Sequence, residues 1–149
     1  MGQDSSLKAF VILMKAAKSI QERVKQDMIR YGLNHSEFVV LEALFHKGPM
    51  TVRQICSKVL IASGSITYVI DKLEKKGMLD RRPCPDDRRV VHVILTDAGE
   101  EFMKKVFPEH QRFIKHLFGN LLEEEKERLI GLLKKVGHQA SETGKEPKS

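Results

Sequence analysis

Residues 87–96 read Asp87-Arg88-Arg89-Val90-Val91-His92-Val93-Ile94-Leu95-Thr96. Val91, Val93 and Leu95 fall at alternate positions, the pattern of a strand with one buried face. Just before it, Asp86, Asp87, Arg88 and Arg89 form a charged tip; just after it, Thr96 has the chemistry of a helix cap. Met78–Pro83 is the natural partner strand, which makes Cys84-Pro85-Asp86-Asp87-Arg88-Arg89 the connection of a hairpin. Asp87 is spaced to pair with Arg89 across that turn. An exposed pair contributes only about 0–1 kcal/mol, so its value is geometric: it fixes the tip with one arginine pointing out. Taken alone, the stretch also reads as a solvated charged hairpin. Its neighbours decide between the two.

Upstream, three helices arrive in quick succession. Asn34 with Glu37, and Thr51 with Gln54, each have the spacing of a capping box. The first of these helices buries Phe38, Leu41, Leu44 and Phe45 and stops at Gly48-Pro49. The second is short, with Val52, Ile55 and Val59 facing inward. After Ile61-Ala62 a third helix runs to Lys76 and is closed by Gly77. Its apolar face is Ile66, Val69, Ile70 and Leu73; its opposite face carries Ser63, Ser65, Thr67, Tyr68, Lys72 and Lys75. A helix with small hydroxyl groups outward at its N-terminal end suits the major groove, where Ser and Thr reach bases or phosphates at close range. By itself it is equally an amphipathic helix with a solvated face. Followed at once by a basic hairpin, it gives the order of a winged helix–turn–helix.

The flanks are long helices. Residues 6–31 place Leu7, Phe10, Met14, Ala17, Val24, Met28 and Tyr31 on one stripe, widened by Val11, Leu13 and Ile20. Such a helix is about 37 Å long. It either packs along its own chain or also covers a second subunit, and the similar stripe at the far end of the chain favours the second. Thr96-Asp97 opens a helix lined by Phe102, Val106, Phe113, Leu117 and Phe118, with Pro108 as the expected kink. Leu121 to about Ala140 forms the last helix, with Leu122, Leu129, Ile130, Leu133 and Val136 as its stripe. Glu123-Glu124-Glu125 at its start and Lys134-Lys135 near its end suit the helix dipole. The polar tail 141–149 is expected to be disordered. The fold class is therefore mainly α with a small β-hairpin wing: one domain over 1–149, with helices 6–31 and 97–140 for dimerisation and a DNA-binding lobe at 34–96.

Composition bounds the partners. The chain has 149 residues, 41% of them apolar, and a formal charge of +6. That balance favours an anionic partner, and the positive charge clusters at Lys72, Lys75, Lys76, Arg81, Arg82, Arg88 and Arg89. Cys56 and Cys84 form no CxxC, and no His/Cys spacing suggests a metal. No apolar run spans a membrane and no secretory leader is evident, so a reduced, cytoplasmic protein is expected. No nucleophile–base pairing and no phosphate-cradling glycine loop points to an enzyme, and no cofactor is implied. The six histidines are scattered.

With these elements in this order, the sequence resembles the MarR family of bacterial transcriptional regulators over about residues 6–140. The wing supplies Asp87, Arg89, Val93, Leu95 and Thr96 in the family's register. Ser65-Ile66-Thr67 through Asp71-Lys72-Leu73-Glu74, closing at Gly77, is similar to the family's recognition helix. One departure is Ala62, where many members carry a Ser or Asp cap; Ser63 capping instead would shift the helix start by one residue.

The resemblance implies a homodimer built from the terminal helices, binding a pseudo-palindromic double-stranded operator. Ser63, Gly64, Ser65, Thr67 and Tyr68 would lie nearest the bases. Arg89 would enter the minor groove, oriented by Asp87, with Arg88 and Lys72 toward phosphates. It also implies a repressor released by a small, often aromatic or phenolic effector. That effector would sit in a cleft between the dimer helices and the DNA-binding lobe, where Phe10, Met14, His35, Phe38 and Met103 are candidates. His35 reads either as a hydrogen-bonding contact or as a solvent-facing first-turn residue. The peroxide-sensing branch carries a cysteine in the N-terminal helix, and this chain has none there. Cys56 reads as a core residue. Cys84, among Arg81, Arg82 and Arg88, reads either as an idle thiol or as a redox or electrophile switch, since nearby cations favour the thiolate.

Overall fold

The computed structural model describes residues 3–59 and 63–143. Its elements in chain order are α1 (Ser6–Ile29), α2 (His35–Lys47), β1 (Met50–Thr51), α3 (Val52–Lys58), α4 (Ser63–Lys75), β2 (Leu79–Pro83), β3 (Val91–Leu95), α5 (Asp97–Leu117) and α6 (Glu123–Thr143). Ile61 and Ala62, where the start of the recognition helix was in question, lie outside the described residues.

Local chemistry sets the helix starts. Asn34 Oδ1 accepts the Glu37 N–H at 2.8 Å, and Glu37 Oε1 accepts the Asn34 N–H at 3.0 Å. Thr51 and Gln54 repeat the same exchange at the start of α3. Each box satisfies two helix-end donors that would otherwise be orphaned. Gly77 closes α4 at φ 76°, with its N–H on Glu74 O and the Met78 N–H on Leu73 O. That is the Schellman arrangement, which needs a residue at ease with positive φ.

The sheet is three-stranded and antiparallel in the order β1-β3-β2. Arg81 stands opposite Val93, Leu79 opposite Leu95 and Pro83 opposite Val91. β1 adds Met50 opposite Val93 on the other edge. This third strand is absent from the sequence reading. At two residues it is too short to show a period, and its partner lies some forty residues downstream.

The chain divides into two compact units, Met1–Glu109 and His110–Ser149. The core of the first unit joins α2, α4 and the sheet. Phe38, Leu41, Ile55, Ile66, Ile70, Leu73, Leu79 and Val93 are almost wholly buried, and so is Met103 of α5. Phe45, expected in this core, is only partly buried and packs its ring against Phe107, with centroids 5.8 Å apart. Of α1, only Val24 and Met28 are buried.

Thr96 ties the start of α5 to the end of α4. Its hydroxyl donates to Gly77 O at 2.6 Å and accepts the Gly99 N–H at 3.0 Å. Its own N–H donates to Met78 O at 3.0 Å. Gly99 lies so close to this turn that a Cβ there would collide with Met78 O. α5 runs through Pro108 as one helix, although proline withholds the N–H that the Lys104 carbonyl would otherwise accept.

In the second unit, α6 continues to Thr143, so Ser141, Glu142 and Thr143 are helical rather than part of a disordered tail; residues 144–149 lie outside the described residues. The longer helix also places Lys134 and Lys135 in its interior, too far from the C-terminus to complement the dipole, and its last turn holds no basic residue. At its start the Leu122 N–H is taken up by Glu125 Oε1 at 2.9 Å. α6 buries none of its residues.

Candidate nucleic-acid interface

α4 separates its faces sharply. Ile66, Ile70 and Leu73 are wholly buried, whereas Tyr68 on the opposite side is 64% exposed. Ser65 and Thr67 are exposed beside it. Lys72 Nζ lies 5.7 Å from the centre of the Tyr68 ring, within reach of a cation–π contact, so these two side chains share one patch. Ser63 and Gly64 occupy the first turn of α4, and the Ser63 side chain lies outside the described set.

The wing tip is built by Asp87. Its Oδ1 accepts the Arg89 N–H at 3.0 Å and lies 3.4 Å from Arg89 Nε. This is an Asx turn, in which a short carboxylate substitutes for a backbone acceptor. The Val90 N–H bonds to Asp87 O, and the Cys84 N–H to Val90 O at 2.8 Å, which closes the hairpin. Arg89 is left with its side chain 92% exposed. Arg88 and Arg82 are exposed as well. The structure thus gathers Ser65, Thr67, Tyr68 and Lys72 on α4, and Asp87, Arg88 and Arg89 at the tip of the adjoining hairpin.

Two cations of the basic cluster are occupied elsewhere. Arg81 donates from Nη1 to Glu74 Oε1 at 2.7 Å and from Nη2 to Asp71 Oδ1 at 2.5 Å. Lys76 donates to Glu37 Oε2 at 2.8 Å and to Gly32 O at 3.3 Å. Glu37 is 2% exposed. Burial opposes its ionisation, but the hydrogen bond from Lys76, the Asn34 N–H and the Lys76 charge outweigh that and hold its carboxyl below the usual carboxylate value. Sequence reasoning counted Arg81 and Lys76 as part of one basic patch and did not find their partners. Those partners are 7, 10 and 39 residues away, beyond the i,i+3 and i,i+4 spacings that a sequence displays.

The effector candidates are dispersed. Phe10 and Met14 stand on α1 at 58% and 53% exposure, while Phe38 and Met103 are sealed in the core at 1% and 0%. This corrects the expectation that Phe38 and Met103 line an open cleft, because a ligand would have to part the core to touch either. His35 does line a cleft, of about 430 Å³, with Val39, Ala43 and Val59 as apolar walls and Glu42, His46 and Lys58 at its polar margin. The other four candidates are not part of that lining. The His46 ring stands edge-on to Phe107, with centroids 4.6 Å apart.

Cys56 and Cys84 are free thiols, each partly buried; Cys56 is therefore less enclosed than a core position. Among the described residues, no group of three or more His, Cys, Asp or Glu is placed to hold a metal ion, and no helix is long and apolar enough to cross a membrane.

The family model that matches, over residues 33–91, is that of the MarR family. The chain is 43% identical over 139 residues to the HTH-type transcriptional regulator MhqR of Bacillus subtilis (strain 168), covering 93% of this chain and 96% of that protein. It is similar in structure to the Bordetella bronchiseptica regulator BpsR, whose DNA binding is regulated by 6-hydroxynicotinic acid. The TM-score is 0.80 at 25% identity, with 92% of this chain and 98% of that one covered. AbsC, a MarR family transcriptional regulator from Streptomyces coelicolor, shares the fold with a TM-score of 0.84 at 21% identity, over 95% and 97% of the two chains.

Proposed function

The chain belongs to the MarR family of transcriptional regulators, and from that premise we propose that it is a homodimeric repressor, released from a pseudo-palindromic operator by a small aromatic acid or phenol. The family regulates transcription through DNA and is not a family of enzymes. The observation that carries the reading is the pairing of two exposed elements: the hydroxyl-bearing face of α4, and Arg89 projecting from the wing at 92% side-chain exposure. Ser63, Gly64, Ser65, Thr67 and Tyr68 read bases in the major groove. Arg89, steadied by Asp87, enters the flanking minor groove, where the potential is most negative. Arg88 and Lys72 meet phosphates and supply affinity that salt weakens.

Dimerisation is supported by the apolar side chains left open on the terminal helices. Leu7, Phe10, Ile12 and Met14 of α1, Leu122 just before α6, and Ile130, Leu132 and Val136 of α6 are all more than half exposed. A second copy covers them, and the dimer sets the spacing between its two recognition helices.

The effector acts by favouring a spacing that the operator does not. A hundredfold release requires it to discriminate between the two states by about 2.7 kcal/mol. The cleft beside His35 has the volume of a small-molecule site, and its apolar walls with polar margins suit an aromatic ring carrying a hydroxyl or carboxylate. That BpsR answers to 6-hydroxynicotinic acid supports an effector of this class.

A labelled operator, selected from a random pool, is titrated at rising salt concentrations. Binding at least about a thousandfold tighter than to random DNA is expected; no preference would sink the reading. Phenols and aromatic carboxylates are then added to the complex, and release by one of them identifies the effector.

One observation favours a second reading of the switch. Cys84 is a free thiol at the base of the wing, and its backbone N–H closes the tip on Val90. Addition of its thiolate to an electrophile would place a bulky group where the tip is fixed. If a Cys84→Ser protein still releases DNA under electrophile stress, this second reading is excluded.

A further inference from the structure

Arg81 sits within the basic cluster of the chain, on the strand leading to the wing tip, where charge alone would suit a phosphate ligand. The geometry contradicts that. Its guanidinium donates through one nitrogen to Glu74 and through another to Asp71, at 2.7 and 2.5 Å. Both carboxylates belong to the recognition helix, one turn apart. Two carboxylates around one guanidinium leave a local surplus of negative charge, and a phosphate approaching Arg81 meets that surplus first. Among the described residues, no ion pair holds Lys72, Lys75, Arg82 or Arg88. The cations on this surface therefore fall into two groups, those open to an anion and those already committed within the protein.

The commitment of Arg81 joins two elements. It stands on β2 opposite Val93, the wholly buried centre of β3, so its backbone is fixed in the sheet. Its fork grips α4 at two points. A planar guanidinium held by two carboxylates fixes orientation as well as distance, which a single lysine contact does not. α4 and the wing must engage two grooves of one duplex together, so a change in the angle between them costs contacts on both sides.

We propose that Arg81 is a positioning residue for DNA recognition, a brace between the wing and α4 that sets their relative orientation, and that Asp71 and Glu74 are the other half of this brace. The proposal rests on the reading of α4 and the wing as the DNA-contacting surface. It carries a prediction of unusual sign. Removing two acids from a DNA-binding surface ordinarily tightens binding to every sequence. Here, removing Asp71 and Glu74 should tighten binding to random DNA and yet lower the preference for the operator.

The test measures affinity for the selected operator and for random DNA, over a salt series, for the full-length wild type, Arg81→Ala, Arg81→Lys and the double variant Asp71→Ala/Glu74→Ala. The expected result is a fall of about tenfold in the operator-to-random ratio for Arg81→Ala and for the double variant, the size of one lost base-pair contact. Arg81→Lys, which can reach one carboxylate at a time, should fall between. The proposal is overturned if the double variant tightens both affinities equally. It is also overturned if Arg81→Ala weakens both equally with a loss of about one unit of salt slope, the signature of a phosphate ligand. Asp71 and Glu74 have side chains 51% and 40% exposed, and alanine suits a helix, so the double variant decides the matter should Arg81→Ala fail to fold. A wild type with no operator preference would refute the DNA-binding reading itself, whereas a preference that these variants leave intact refutes only the brace.

Discussion

The winged-helix core and the terminal helices handle apolar side chains in opposite ways. Ile66, Ile70 and Leu73 of α4 and Phe38 of α2 are enclosed by their own chain, while α6 encloses nothing and leaves Ile130, Leu132 and Leu133 at 53%, 54% and 41% exposure. The first half of α1 resembles α6 in this respect. Chemical identity does not separate the two sets, since both are Leu, Ile, Phe and Val. What differs is the partner each was shaped for. In the lobe the partner is a neighbouring element of the same chain. On the terminal helices we propose that it is a second copy of the chain, since exposed apolar side chains of that kind mark interaction sites.

The comparison can be broken most easily at its strongest point. Phe38→Ala removes a ring from a filled core and should cost about 3–5 kcal/mol in urea unfolding at fixed protein concentration. A cost below about 1 kcal/mol would mean the lobe is not closed by its own contacts. Next in size is Glu37→Ala, which removes both a capping partner and the acceptor of Lys76; a loss of about 2 kcal/mol is expected. The pH dependence follows from the sign of the Glu37 shift. Its carboxyl is held below the ordinary value in the folded state, so its contribution is present above the unfolded carboxylate pKa of about 4.3 and is lost as pH falls through the lower, folded value. Glu37→Gln should remove that part of the acid-induced loss, which thermal melts from neutral pH down to about pH 3 would register.

A charge on the open stripe sharpens the other side. Leu133→Asp should weaken self-association by at least about tenfold, or 1.4 kcal/mol, in sedimentation, while near-UV and exchange signals of the lobe persist. Unchanged association would place the dimer contact elsewhere. The smallest effect belongs to a residue in neither apolar set. Arg89→Ala should weaken operator binding about fivefold, with no change in melting temperature.

How far the sequence could be read depended on range. Both capping boxes, the Gly77 stop, the Thr96 cap and the inner face of α4 were legible because each is set within one or two helical turns. Asp87 and Arg89 are two residues apart, and their contact was legible for the same reason. β1 was not, since Met50 and Thr51 acquire meaning only against Val93 and His92. Nor were the pairs of Arg81, which depend on how the chain reverses after α4 and returns beside it, or of Lys76, which depend on how the end of α4 meets the start of α2. The length of α6 was misjudged because Ser141, Glu142 and Thr143 are polar in any setting, and a helix with no buried face gives composition nothing to mark its end. For the effector, the candidates Phe38 and Met103 showed their apolar character but not the depth at which they lie.

Gly99 has a consequence in genetics. Any side chain there, even a methyl, would collide with the Met78 carbonyl. Every base change at the first two positions of a glycine codon replaces the glycine. If the chain is the repressor proposed above, substitutions at codon 99 should appear among loss-of-regulation variants, mapping to the first turn of α5 rather than to the proposed DNA-contacting residues. Selections for constitutive expression should return it repeatedly, and suppressors, if they arise, should map to the turn around Met78.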